Sequence, residues 1–76
     1  MKFSEIREKA KTSYFDFVEI RKNPGDILEY IALLHGRDGK SYMLCHEDDR
    51  VYASGKLEDL VGRLKQVGFR EAKIYF

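Results

Sequence analysis

The spacing of apolar positions changes near residue 14. Phe3, Ile6 and Ala10 recur at the spacing of one helix face, which predicts a short amphipathic N-terminal helix. The following stretch, YFDFVEIRK at 14–22, is rich in aromatic and β-branched residues and predicts a strand. An alternative continues a single helix from residue 4 to residue 22, because the apolar residues there also fit a heptad pattern. Helix followed by strand is the favoured interpretation.

Two turn signals divide the middle of the chain into further strands. NPGD at 23–26 has proline and glycine at the central turn positions, and RDGK at 37–40 contains Asp-Gly, a strong hairpin signal. The apolar runs ILEYIALLH at 27–35 and SYMLCHE at 41–47 should therefore pair as a hairpin. The acidic residues that follow should turn the chain into a short strand, VYAS, at 51–54.

A second helix and a last strand complete the pattern. Ser54 is suited to cap a helix, and Gly68 is suited to end it in the left-handed conformation. The apolar stripe of this helix comprises Leu57, Leu60, Val61 and Leu64. Gly62 lies inside the helix, where it is either a tolerated imperfection, which we favour, or a place where another backbone comes close. The last strand, at 70–76, would carry Ala72, Ile74 and Phe76 on one side.

The predicted element order is α-β-β-β-β-α-β in a single α+β domain over residues 1–76. We expect a small antiparallel β-meander of three to four strands, with an N-terminal helix, a second helix near the C-terminus and a final strand. A chain of 76 residues holds only one hydrophobic core.

The hairpin at Asp38-Gly39 predicts which side chains share a face of the sheet. A two-residue loop would place His35 opposite Tyr42 and His46 opposite Ile31. One face would then carry Ile31, Leu33, His35, Tyr42, Leu44 and His46, and the other Tyr30, Ala32, Leu34, Met43, Cys45 and Glu47. Both faces are largely apolar, so we expect the first helix or a second copy of the chain to cover the face that the second helix leaves open.

The stretch LCHEDDR at 44–50 has the residue types of a reactive site. Neighbouring residues on a regular strand point to opposite faces, so Cys45 and His46 should not share a metal ion or form a nucleophile and base. In the predicted register His35 and His46 lie roughly 13 Å apart, too far to share one ion. We therefore predict no metal, no cofactor and no catalytic residue. Cys45 becomes a packing residue, and the acids that follow it become a polar turn.

Composition narrows the class of protein without naming a function. The chain is 43% hydrophobic and 36% charged with a net charge of +1, as in a folded globular domain. Its single cysteine cannot form an internal disulfide, which favours a cytoplasmic location. No run approaches the roughly 20 apolar residues of a membrane helix. No glycine-rich phosphate-binding motif such as GxGxxG is present.

Two functions follow from these observations. Two apolar sheet faces, with five Tyr and five Phe, predict a non-catalytic module that binds another protein as an accessory or regulatory factor and forms a homodimer. The alternative is an RNA-binding domain that uses the basic residues of the second helix and last strand, Lys56, Arg63, Lys65, Arg70 and Lys73. The αβββα part of the order resembles the layout of the double-stranded-RNA-binding domain, which implies phosphate contacts at the start of the second helix, where Lys56 stands. That likeness is one of layout without a motif, and no family is assigned.

Overall fold

The computed structural model describes residues 1–75 and contains two helices and four strands in that range. In chain order they are α1 (Phe3–Ala10), β1 (Phe15–Asn23), β2 (Asp26–Gly36), β3 (Ser41–Met43), α2 (Leu57–Val67) and β4 (Lys73–Ile74). Phe76, which the sequence placed on one side of the final strand, lies outside the described residues.

The first helix ends before the first strand begins, as the favoured interpretation predicted. Residues 11–13 form a turn, and Ser13 has a positive φ of 55°, which a continuing helix does not allow. The single helix over residues 4–22 is therefore excluded. Ile6 is the residue of α1 that becomes fully buried.

The β2–β3 hairpin differs by one residue from the predicted register. Its loop comprises residues 37–39 and is closed by the Gly36 N–H donating to the Lys40 carbonyl at 2.8 Å. Gly39 takes the left-handed conformation, with a φ of 81°, as in a three-residue loop rather than a two-residue one. The Asp38 carboxylate supports the loop by accepting a hydrogen bond from the Lys40 N–H. His35 therefore pairs with Ser41, and the predicted pairing with Tyr42 is wrong.

The corrected register gathers the core on one face of the sheet. Leu34 and Leu44 share that face, whereas the predicted register put them on opposite faces. Both helices pack there through Ile6, Leu60 and Leu64. The buried cluster comprises Ile6, Val18, Ile20, Ala32, Leu34, Leu44, Leu60 and Leu64. Of the two expected covers for the second face, α1 is therefore wrong, and a second copy of the chain stays a prediction.

The sheet has the order β3-β2-β1-β4, with β4 parallel to β1 and the other neighbours antiparallel. The α+β class and the two helices are confirmed, and the sheet is mixed because of β4. Residues 51–54 form isolated bridges at Val51 and Ser54 instead of a strand, so the meander has three strands. Gly68 ends α2 with a φ of 111°, as predicted.

Ser54 stabilises the start of α2 in a different way from the predicted cap. Its hydroxyl accepts a hydrogen bond from the Lys56 N–H at 3.0 Å and donates to the Asp59 carboxylate at 2.7 Å. The N-cap position belongs to Lys56. Within residues 1–75, no helix has the length and apolar character needed to cross a membrane.

Candidate functional site

The side of the sheet opposite both helices is the candidate functional surface, and it is called the open face below. Strand alternation and the observed register place its side chains. They are Phe17, Glu19, Arg21, Ile31, Leu33, His35, Ser41, Met43 and Lys73, with Tyr75 just beyond β4. Phe17 and Tyr75 are 45% and 44% exposed, which is high for large aromatic side chains on a sheet.

Glu19 lies at the centre of the open face and is only 5% exposed. Its carboxylate accepts a hydrogen bond from Nε2 of His35 and, at 3.1 Å, one from the Arg21 guanidinium. A buried carboxylate requires such partners, because removing it from water is costly. Glu19 was not among the residues predicted from the sequence, although a charged side chain between Val18 and Ile20 is a signal that the open face has a polar centre.

A serine hydroxyl extends the same network. Ser41 Oγ lies 2.8 Å from Nδ1 of His35, so the imidazole joins a buried carboxylate to an exposed hydroxyl. The ring of Phe17 stacks on the imidazole with centroids 4.2 Å apart and planes 16° apart. Phe17 and Ser41 are the direct cross-strand neighbours of His35 on its two sides, so the sheet itself fixes the ring between them.

The electrostatics of the network favour an ionised carboxylate. Burial acts to raise the pKa of Glu19, but the hydrogen bonds from His35, Arg21 and Tyr75 outweigh it and hold that pKa below its usual range. Because a carboxylate can only accept hydrogen bonds, Nε2 of His35 carries a proton. In the neutral imidazole, Nδ1 then has the free lone pair and accepts a hydrogen bond from the Ser41 hydroxyl.

Cations lie over both exposed aromatic rings. The guanidinium carbon of Arg21 is 4.6 Å from the Tyr75 ring centroid, and Nζ of Lys73 is 5.4 Å from that of Phe17. Beside them the face forms an open depression of about 430 Å³, with apolar and cationic walls. Its lining residues are Arg21, Lys22, Pro24, Ile31, Leu33, Met43 and Tyr75.

The structure distributes the five basic residues named from the sequence over different surfaces. Lys73 lies on the open face. Lys65 and Arg70 line one cleft of about 190 Å³ beside α2, and Arg70 and Lys73 line a neighbouring cleft of about 320 Å³. Arg63 packs over the rings of Phe3 and Tyr52 at 4.9 and 5.3 Å.

Lys56, the fifth of these residues, is exposed at the start of α2. Lys65, Arg70 and Lys73 are thus brought near one another through the two clefts, whereas Arg63 is engaged on the side of α2 that meets α1.

The residues of LCHEDDR have separate local partners. The Cys45 thiol, 8% exposed, donates to the Met43 carbonyl, and the His46 ring packs on Tyr52 with centroids 4.8 Å apart. Glu47 accepts a hydrogen bond from the Ser4 N–H at 3.0 Å and so caps the start of α1. Hydrogen bonding from the Ser4 side chain, and next from its N–H, lowers the pKa of Glu47. In residues 1–75, no three His, Cys, Asp or Glu side chains are grouped to hold a metal ion.

A second polar cluster joins the segment before β1 to the β2–β3 loop. The hydroxyls of Tyr14 and Tyr42 both donate to the Asp38 carboxylate, and the two hydroxyl oxygens are 3.0 Å apart. Hydrogen bonding to Asp38, and next to Tyr42, raises the pKa of Tyr14 well above its usual range. All polar members of this cluster are satisfied by one another, which is typical of a structural brace.

Another apolar surface lies near the β1–β2 turn. The register passes from Asn23–Asp26 to Lys22–Tyr30, so residues 27–29 bulge out of the ladder. Ile27 and Leu28, in that bulge, are 71% and 78% exposed. Two adjacent aliphatic side chains with so much exposed surface are typical of a contact site.

Comparison with known proteins finds no family model, no curated protein and no solved structure that matches this chain.

Proposed function

We propose that the protein is a binding module that acts by contact with another protein through the open face. The observation that carries the proposal is a sheet face without helical cover, on which the exposed rings of Phe17 and Tyr75 and partly buried apolar side chains surround a hydrogen-bonded polar centre. Tyrosine, phenylalanine and arginine are enriched in protein interfaces, and Tyr75, Phe17 and Arg21 lie together here. An accessory or regulatory role in the cytoplasm is consistent with such a module.

Site-specific photocrosslinking in cells tests this proposal. A photoreactive amino acid at position 17 on the open face should yield a discrete crosslinked protein, and one at position 66, on the exposed side of α2, should not. Tyr75→Ala should weaken binding of the protein so identified by roughly 30-fold if Tyr75 is a hot spot, while Gln66→Ala should leave it unchanged. Equal crosslinking from both positions, or none from position 17, would contradict the proposal.

A second copy of the chain is one protein that the open face could bind. We expect light scattering at micromolar concentration to give twice the 8.9 kDa chain mass. Met43→Glu, which introduces a charge on the open face, should restore the monomer. A monomer mass for the unmodified protein would remove the homodimer and leave the proposal for a different partner in place.

Single-stranded RNA is the second candidate, and the rings of Phe17 and Tyr75 favour it. Exposed aromatic rings on a sheet with cations beside them can stack on bases and neutralise phosphates. Lys73 is the residue of the predicted basic set that lies on this face. A labelled oligonucleotide should bind in a salt-sensitive way and lose affinity on Phe17→Ala, and absence of binding at low salt would remove this candidate.

A further inference from the structure

The side chains of Ser41, His35 and Glu19 form a hydroxyl–imidazole–carboxylate chain in which each contact is a hydrogen bond. A nucleophile within 2.6–3.2 Å of a base that a third group orients is the arrangement by which proteins activate serine. Here the hydroxyl is exposed, the His35 side chain is 22% exposed, and the Glu19 side chain is 7% exposed. The accessible end of the chain is therefore the nucleophile.

The proton positions in this network suit a general base. The buried carboxylate keeps the His35 proton on Nε2, which leaves the lone pair of Nδ1 directed at Ser41 Oγ, 2.8 Å away. When the imidazole takes the serine proton, it becomes positively charged next to Glu19, and the carboxylate stabilises that charge. Glu19 thus acts through His35 and is a positioning residue.

The backbone supplies one donor for a developing oxyanion. In the β2–β3 pair, the Gly36 N–H donates to the Lys40 carbonyl, and the Leu44 N–H donates to the Ala32 carbonyl. Hydrogen-bonded and non-hydrogen-bonded pairs alternate along antiparallel strands, so the His35–Ser41 pair is a non-hydrogen-bonded one. The Ser41 N–H consequently points away from β2, along the outer edge of the edge strand β3. A nucleophile's own amide is one of the donors that acyl-transfer sites use.

We propose that Ser41 is an activated nucleophile that accepts an acyl group from activated esters, with His35 as its general base and Glu19 as the residue that orients the imidazole. In the step, Oγ forms a bond to the carbonyl carbon, and the bond from that carbon to the leaving aryloxide breaks. The serine proton passes to Nδ1 and then to the aryloxide or solvent. The product is an O-acyl serine and a phenol, and the step requires that no partner covers the open face at Ser41.

The test exposes the full chain to p-nitrophenyl acetate and maps the acetylated residues by mass spectrometry. In the protein without substitutions, Ser41 should react faster than the other three serines, which serve as internal controls: Ser4, Ser13 and Ser54. His35→Gln should slow the reaction at Ser41 by on the order of 100-fold or more, the range of general-base catalysis. His46→Gln, a change of the other histidine, should leave it unchanged.

Glu19 has its own readout. Glu19→Gln keeps an oxygen that can hold the imidazole but removes the charge, so the labelling rate should fall, and Glu19→Asp should recover part of it. Circular dichroism of each variant checks the fold. Modification of lysines only, a Ser41 rate equal to that of Ser13, or a rate unaffected by His35→Gln would each overturn the proposal. The first two outcomes are measured on the protein without substitutions, so the proposal can be tested even if a variant fails to fold.

Discussion

Replacing Leu44 and Met43 separately by alanine tests the hairpin register, on which the open face depends. Leu44 is 1% exposed and belongs to the core cluster, so Leu44→Ala should cost about 2–5 kcal/mol from lost burial and the cavity left behind. Met43 lies on the open face and is partly exposed to water, so Met43→Ala should cost about 1 kcal/mol. In the register predicted from the sequence, Met43 would instead share a face with Leu34.

The difference is large on the scale of the whole domain. A chain of 76 residues has a total stability of about 4–11 kcal/mol at the usual value per residue. A loss of about 3 kcal/mol should lower Tm by about 12–24 °C, whereas a loss of about 1 kcal/mol should lower it by about 4–8 °C.

Urea denaturation and thermal melts followed by circular dichroism measure both variants. The two should unfold with similar m-values, so that the midpoints report stability directly. Equal losses for the two variants would refute the register, unless the loss for Met43→Ala grows with protein concentration. Such growth would mean that a second copy covers the open face.

The remaining predictions concern the acid dependence of stability, two glycine substitutions and the effect of a chelator. In the folded protein the pKa of Glu19 is below its ordinary value of 4.5. The stability that ionised Glu19 contributes is therefore present above pH 4.5 and is lost as the pH falls through the lower pKa of the folded state. Glu19→Gln should flatten the acid side of the curve of stability against pH, measured by urea denaturation. Gly62→Ala should stabilise by up to about 1 kcal/mol, because no atom beyond the adjacent residues and the nearby backbone of the helix lies within 4 Å of the added carbon. Gly68→Ala, at a φ of 111°, should destabilise by about 1–2 kcal/mol. A reversed order in urea denaturation would contradict the cap assignment. A chelator should leave Tm unchanged, and stoichiometric zinc in the purified protein would count against this expectation.

Local patterns were sufficient for the two helices, for the presence of the first three strands and for much of the core, but not for residues 51–54, which were wrongly predicted to form a strand. The periodicity of α2 identified Leu60 and Leu64 as buried, and the glycine at its end identified the stop, because both depend on residues within one or two turns. The aromatic and β-branched residues of β1 indicated a strand but did not reveal that Glu19 would be buried. That burial follows from His35 and Arg21, whose positions are set by cross-strand and same-face packing.

Two features of the fold, the length of the β2–β3 loop and the pairing of β4, depend on more than local sequence. An Asp-Gly pair fits both a two-residue loop and a three-residue loop with a left-handed glycine, and the structure takes the second. The parallel pairing of β4 with β1 joins residues distant in sequence, and no residue of Lys73–Ile74 specifies it. The predicted meander was therefore right in class and incomplete in topology.

The conformation of Gly39 connects the fold to the proposed chemistry. With a two-residue loop, His35 and Ser41 would lie on opposite faces of the sheet, and the hydroxyl could not reach the imidazole. The extra loop residue places them directly opposite each other and moves Leu44 into the core at the same time. The stability and labelling experiments therefore test one structural fact by independent means. If Met43→Ala destabilised the protein as much as Leu44→Ala at every protein concentration, the observed register would be refuted. The Ser41–His35 contact depends on that register, so selective acylation of Ser41 should then not be observed.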